Sequence, residues 1–381
     1  MAAGRLRRFG GLLTSDSGAP GSTPANATRV LCLECPKSLA ARVIPLCRGL
    51  GLLSPRFRIG RMGGNVLIPL TRRPDVRERK AVEGLTALRL TYAVLEKKRR
   101  RPEDLIEALG DELPPHLLAC VPRSFDIVGD IAVMKIPEEL EPHRFDIGRA
   151  LLEVLSPGVR VVLRKASPVA GVYRTMGVEW LAGERRTETV HKEFGCAYRL
   201  DLAKVYFSPR LATERMRVAS QVGPGETVVN MFAGVGCFSI MMARHARPAK
   251  VYSIDVNPVA VEYAKENVAL NRVEGVVVPI LGDAREVVGT RLRDVADRVV
   301  MQLPEGAYGF LDAAVTALKP RGGTVHYYDF VDQDELSGRR LEVLGRLEEL
   351  GWRGKVLLER RVSQVAPRRY EAVFDIEVTA P

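Results

Sequence analysis

The chain has 381 residues, 46% hydrophobic and 27% charged, with 57 Lys and Arg against 46 Asp and Glu for a formal net charge of +11. That length points to two or three domains, no apolar run nears the roughly 20 residues that cross a bilayer, and six scattered cysteines make no disulfide framework. The positive excess favours a polyanionic partner, nucleic acid first, in a reduced, cytoplasmic compartment away from membranes.

Residues 1–28, rich in Gly, Ser, Ala and Pro with Arg5, Arg7 and Arg8, read as a disordered leader outside the fold. Residues 29–72 follow as a small α/β module: a strand at RVLCLECP, a helix at SLAARVIPLCRGLG and a strand at NVLIPL. Cys32 and Cys35 form a lone CxxC in the first strand, where alternation points the thiols to opposite faces and argues against a metal site. The polar stretch from Thr71 to Glu83 reads as a linker, and Lys97-Lys98-Arg99-Arg100-Arg101 as a basic block. An α+β unit is expected over 84–196. It has a helix at PEDLIEALG, a strand pair FDIVGDIAVMKIP turning at Val128-Gly129-Asp130, a helix at DIGRALLEVL, and strands at VRVVLRKA and GVEWLAG.

Residues 197–381 alternate strands (ETVVNMF, KVYSIDV, VVVPILGD, RVVMQL, GTVHYYDF) with helices (FSIMMARHA, PVAVEYAKENVAL, YGFLDAAVTAL, LSGRRLEVLGRLEELG). The runs GKVLLERRVSQV and EAVFDIEV add two antiparallel strands. Seven strands with an antiparallel tail are the pattern of an α/β, class I (Rossmann-like) methyltransferase sheet, here with two smaller N-terminal α+β domains. Within it, Val228–Ala246 runs from an apolar strand through Phe232 and the turn Ala233-Gly234-Val235-Gly236 into a helix, and a second apolar run ends in Asp255-Val256. Glycines admit a ligand close to the backbone, and an acidic strand end about 20 residues later suits ribose hydroxyls. Phe238 and Ser239 stand where a GxGxxG array would continue, and an amide motif, Gln302-Leu303-Pro304, follows a later strand, so S-adenosylmethionine suits the pattern better than a dinucleotide. Gly282-Asp283-Ala284 is the third expected cofactor contact, with Asp283 either beside the adenine amino group or simply capping a helix.

Long stretches resemble the archaeal and eukaryotic tRNA (guanine-37-N1)-methyltransferase family: RSFDIVGDIAVMKIPEEL, AGERRTETVHKEFG, LDLAKVYFSPRLATER, NMFAGVGCFS, IDVNPVAVEYAKENVALN, ILGDAREV, GGTVHYYDF and VAPRRYEAVFDIEV. The N-terminal module is similar to the extra domain of the archaeal members. The resemblance implies methyl transfer from S-adenosylmethionine to N1 of guanosine 37, next to the anticodon of tRNA, by a monomer. It implies Glu214 as general base, Arg174 as the partner of guanine O6, and Tyr206, Arg210 and Pro304 at the target nucleotide. Arg185, Arg186, Lys192 and Arg368-Arg369 would meet phosphates, and the N-terminal module would meet the distant body of the L-shaped tRNA. Two departures stand out. Gln302, which the resemblance implies as a catalytic residue orienting the guanine edge and as a cofactor contact, replaces the family's asparagine, keeping the amide but adding a methylene, and Asn230 stands where many relatives carry aspartate. Three other outcomes remain: aminocarboxypropyl transfer in wyosine synthesis, an additional C7 methylation of a wyosine intermediate, or an RNA-binding relative without activity.

Overall fold

A computed structural model describes residues 27–96, 102–110, 112–167 and 171–380. The expected leader lies outside the described residues apart from its last two, which open the first strand, and the basic block Lys97 to Arg101 also lies outside them. The chain forms two compact units, one ending at Arg101 and one beginning at Pro102.

The first unit comprises β1 (Ala27–Pro36), α1 (Ala40–Gly49), β2 (Gly60–Met62), β3 (Asn65–Pro69), α2 (Val76–Glu83) and β4 (Arg89–Glu96). Its antiparallel sheet has the order β2-β3-β1-β4. Alternation along β1 sends Leu33 and Cys35 into a core with Val43, Cys47 and Val82, and Cys32 to the other face with Leu67 and Leu95. The boundary expected at Arg72 is corrected to Glu96, because β4 pairs with β1 from Ala27↔Glu96 to Glu34↔Arg89. The polar stretch read as a linker is a helix. Asp75 accepts from Glu78 N at 2.9 Å, Glu78 returns the contact at Asp75 N at 2.7 Å, and Arg72 clasps the same carboxylate at 2.7 Å. These local bonds form a capping box and hold a helix that has little apolar periodicity to advertise it.

The second unit opens with α3 (Leu105–Leu109), α4 (Pro115–Leu118), β5 (Phe125–Val128), β6 (Ile131–Met134), α5 (Arg144–Leu155), β7 (Val161–Lys165) and β8 (Val178–Gly183). The sheet order is β5-β6-β7-β8, with α5 crossing between the parallel pair β6 and β7. The tight turn between β5 and β6 is the one read from Val128-Gly129-Asp130. Gly129 is at φ +59°, and a Cβ there would overlap Thr189 Oγ1. A hairpin follows, β9 (Glu188–Glu193) and β10 (Cys196–Asp201), so the domain boundary expected at 196/197 falls inside a paired element and is corrected.

The remaining elements are α6 (Ala212–Gln221), β11 (Thr227–Asn230), α7 (Cys237–His245), β12 (Lys250–Asp255), α8 (Pro258–Leu270), β13 (Val277–Leu281), α9 (Ala284–Arg291), β14 (Arg298–Met301), α10 (Leu311–Ala317), β15 (Gly323–Asp332), α11 (Leu336–Glu349), β16 (Arg353–Ala366) and β17 (Arg369–Thr379). They build a seven-stranded sheet in the order β13-β12-β11-β14-β15-β17-β16, parallel through β15, with β17 antiparallel to both neighbours. Strand order reverses at β11, and the carboxyl ends there open a crevice where ligands bind in such sheets.

The β9–β10 hairpin is fastened to this sheet by two asparagines. Asn267 on α8 accepts from Arg199 N at 2.6 Å and donates to Arg199 O at 3.0 Å; Asn271 does the same for Ala197 at 2.9 and 2.6 Å. Each side-chain amide satisfies the donor and acceptor that a neighbouring strand would otherwise take.

Candidate active site

A cavity of about 350 Å³ opens at the carboxyl ends of β11, β12 and β14. Its first wall is the turn after β11. Gly234 has φ +54°, and a Cβ there would meet nothing nearer than Tyr206 O at 3.9 Å, so that side of the backbone is open. Gly236 has φ +89° but does not line the cavity. Its Cβ position lies 3.3 Å from Ile240 Cδ1 and 3.5 Å from Ala264 Cβ, so its part is to let α7 start close against α8, a correction to the direct contact expected.

Asp255 ends β12. Its Oδ2 accepts from Gly234 N at 2.6 Å and its Oδ1 from Asn257 N at 2.9 Å. Burial raises its proton affinity, and these bonds oppose that rise. A carboxylate oxygen can accept twice, so both retain capacity for hydroxyl donors. Val256, Asp283 and Ala284 line the same end. Asp283 Oδ1 accepts from Arg285 N at 2.8 Å and from Glu286 N at 3.3 Å, so it caps α9 while facing the cavity. Phe232 supplies an apolar wall, meeting Phe310 edge to face with centroids 5.0 Å apart. An open glycine backbone, a carboxylate with spare lone pairs and aromatic walls together fit a nucleoside-bearing cofactor.

The other end is polar. Arg174, Tyr206, Gln302 and Pro304 line it. Arg174 donates to Glu305 Oε2 at 3.1 Å, and both residues adopt left-handed backbone angles, φ +50° and +76°. Two non-glycine residues held there face to face mark stored strain of order 1–3 kcal/mol each at a site. Tyr206 is 39% exposed, and desolvation of its hydroxyl within the cavity wall pushes that group up to about 12. Gln302 Nε2 donates to Glu371 at 3.1 Å.

Several expected residues are placed elsewhere. Glu214 is 1% exposed and does not line the cavity. Arg217 grips it at 2.7 and 2.9 Å, and the Tyr328 hydroxyl donates to it at 2.7 Å. The chain of contacts continues from Arg217 to Asp375 at 2.5 Å, and from Asp375 to His326 at 2.6 Å. Arg210 turns to Asp126 at 2.8 Å, Arg185 stacks 4.6 Å over Trp180, and Arg186 pairs with Asp130 at 2.5 Å. Arg186 belongs to a separate depression of about 590 Å³, with His191 and Lys192. Arg368 pairs with Asp334 at 2.7 Å, while Arg369 stacks 5.6 Å over Phe330, a cavity residue. Asn230 is buried against Ser239 at 3.0 Å, and its Oδ1 has no partner among the described residues.

Sequence reasoning gave no role to Arg215, Glu305, Phe330 or Glu371. Arg215 is 3% exposed, lines the cavity, and is locked to Glu193 at 2.6 and 2.7 Å. Its signal was available in SPRLATERMR, where an arginine at helical spacing follows an apolar Leu211. Phe330 and Glu371 come from distant strands and leave no local pattern, whereas Glu305 directly follows Gln302-Leu303-Pro304.

This sheet, glycine turn and acidic strand end define a class I, S-adenosylmethionine-dependent methyltransferase. Profiles described as TRM5/TYW2 methyltransferase domain and TYW2 N-terminal domain match residues 189–350 and 105–187. The tRNA (guanine(37)-N(1))-methyltransferase Trm5b of Pyrococcus abyssi is 42% identical over 87% of this chain and 93% of that protein. A complex of aTrm5 and tRNALeu superposes with a TM-score of 0.68 at 32% identity, covering 91% of this chain and 99% of that one. Methanocaldococcus jannaschii TYW2 in complex with AdoMet superposes at 0.54 with 30% identity, covering 68% and 100%. The chain belongs to the TRM5/TYW2 methyltransferase family, and its cofactor is S-adenosylmethionine.

Proposed function

We propose that the protein methylates N1 of guanosine 37 in tRNA. The observation that carries this reading is the two-ended cavity, in which a nucleoside-cofactor end meets Arg174, Tyr206 and Gln302 within one chain. Bound S-adenosylmethionine supplies an electrophilic methyl group. Asp255 and the Gly234 backbone hold its ribose and methionine parts, with Phe232, Val256, Asp283 and Ala284 around the adenine.

Guanine N1 carries a proton and attacks poorly until it is removed, and charge then builds on O6. Arg174 answers that charge once it exchanges Glu305 for the base, a swap of one anion for another on a cation already positioned by its strained turn. Tyr206 packs against the flipped nucleotide. Glu214 remains the proposed proton acceptor: its carboxyl group, held by Arg217 and Tyr328, lies one residue before the cavity-lining Arg215. Arg185, Arg186 and Lys192 are assigned to phosphates, with Arg210 beside the nucleotide after release from Asp126.

The match of residues 105–187 to a TYW2 N-terminal domain favours aminocarboxypropyl transfer as a second reading. SPRLATER and Gln302-Leu303-Pro304 support methyl transfer instead. We place the enzyme in the cytoplasm, consistent with its six free cysteines, and propose that it acts as a monomer. Among the described residues no helix is long and apolar enough to cross a membrane. Incubating unmodified tRNA with labelled cofactor and identifying the modified nucleoside tests the assignment; an unmodified guanosine 37 overturns it.

A further inference from the structure

Tyr206 lines the cavity from residues 202–208, a stretch between β10 and α6 that forms no strand or helix. Two side chains from other elements grip its backbone. Arg215 Nη2 donates to Ser208 O at 3.2 Å, and Asn257 Nδ2 donates to Lys204 O at 3.0 Å. Tyr206 sits midway in sequence between those two carbonyls, and its own carbonyl oxygen is the nearest atom facing the open side of Gly234. The wall that carries Tyr206 and the wall that carries the glycine turn therefore pass close to each other.

Asn257 joins them. It is 3% exposed and stands two residues beyond Asp255. Its backbone N–H donates to Asp255 Oδ1 at 2.9 Å, its Oδ1 accepts from Val259 N at 3.0 Å to cap α8, and its Nδ2 takes the Lys204 carbonyl. The amide cannot turn over, since that would set its oxygen against a carbonyl and its NH2 against an N–H. One buried residue thus fastens the carboxylate proposed for the cofactor ribose to the segment that carries Tyr206. Further along α8, Asn267 and Asn271 hold Arg199 and Ala197 of β10, the strand that leads into that segment. The helix is a splint along the whole approach to Tyr206, and Asn257 is its end beside the cavity. Methyl transfer needs donor and acceptor at near-attack distance, and a misplacement of about 1 Å can cost roughly 10²-fold in rate.

We propose that Asn257 is a positioning residue that sets the gap between methyl donor and target nucleotide by tying the Tyr206 segment to the Asp255 end of β12. The proposal rests on the guanosine-37 reading above. Asn257→Ser tests it, because serine still caps a helix but is too short to reach Lys204 O. Single-turnover methylation of guanosine 37, at saturating S-adenosylmethionine and full-length tRNA, falls by on the order of tenfold or more. Calorimetric binding of S-adenosylhomocysteine, and the tRNA concentration giving half the maximal rate, stay within about threefold of the wild type, less than one hydrogen bond is worth. Asn271→Ala, at the far end of the splint, loosens β10 but keeps its single-turnover rate within the same range. Should Asn257→Ser lose S-adenosylhomocysteine binding, Asn257→Asp, which keeps the size and the cap but offers Lys204 O no donor, carries the same expectation. A wild-type rate in Asn257→Ser, an equal loss in Asn271→Ala, or S-adenosylhomocysteine binding lost from both Asn257 variants overturns the proposal. A wild type that leaves guanosine 37 unmodified overturns the functional reading itself.

Discussion

Asp255 orders the cofactor end before any ligand arrives, since its two oxygens hold the glycine turn and the start of α8 through Gly234 N and Asn257 N. Asp255→Ala removes those anchors together with the proposed ribose contacts. Cofactor affinity should fall by about 1–3 kcal/mol while tRNA affinity holds; calorimetry showing undiminished cofactor binding would remove the assignment. Glu214 poses a sharper choice, because its buried pairing serves a structural part as well as a chemical one. Glu214→Gln should lower single-turnover methyl transfer by ~10²-fold or more with cofactor affinity unchanged. A variant that keeps its rate but melts earlier would make Glu214 a structural member of the Arg217 cluster. His326 closes that cluster. Arg298 can only donate to its Nε2, at 2.8 Å, so Nδ1–H donates to Asp375 and the ring is neutral. Burial lowers its proton affinity below the ordinary 6.5, so the unfolded chain binds the extra proton first as pH falls. Its stabilisation is present above pH 6.5 and lost as pH drops through and below it. The melting temperature should therefore fall between about pH 7.5 and 5.5, less so in His326→Gln; equal slopes would contradict the neutral, buried imidazole. Asp375, held low by His326 and Arg217 against its own burial, gives way only in stronger acid.

At the level of elements, the asparagine clamp on β10 makes a separate claim. Asn267→Ala or Asn271→Ala leaves a backbone donor and acceptor unpaired and should destabilise the second unit by about 1–3 kcal/mol in urea unfolding. A change within a few tenths would mean the hairpin docks by its apolar face alone. The strands and helices of the large sheet were legible because their apolar runs are long and regularly alternate with helical patterns. The gathering of Gly234, Asp255 and Asp283 at one end of the cavity was legible for the same reason, as they follow or end successive strands and carry their spacing with them. What escaped were features made by pairing. β4 gains its place from β1, the helix at Val76–Glu83 from the Arg72–Glu78–Asp75 bonds, and the β9–β10 hairpin from two side chains on another element. On the substrate side, Glu305 and Glu371 matter through contacts 131 and 69 residues away in sequence, with Arg174 and Gln302. Glu214 shows the converse: its motif was readable, its burial was not.

For the whole molecule, the division at Arg101 and Pro102 separates a small sheet with its own core from the unit that holds the cavity. A chain beginning at Pro102 should still methylate guanosine 37 but bind full-length tRNA more weakly. An isolated anticodon stem-loop, which lacks the distant contact, should show far less difference; equal losses on both would mean that the first unit supports the fold instead of reading tRNA shape. Methyl transfer to one atom of one base is the central claim, and nucleoside analysis tests it most directly. Unmodified tRNA incubated with the full chain and S-adenosylmethionine labelled in both its methyl and aminocarboxypropyl groups is digested to nucleosides and resolved by mass. The expected product is 1-methylguanosine from position 37 carrying only the methyl label. Label from the aminocarboxypropyl group, or no modified guanosine at that position, would contradict it.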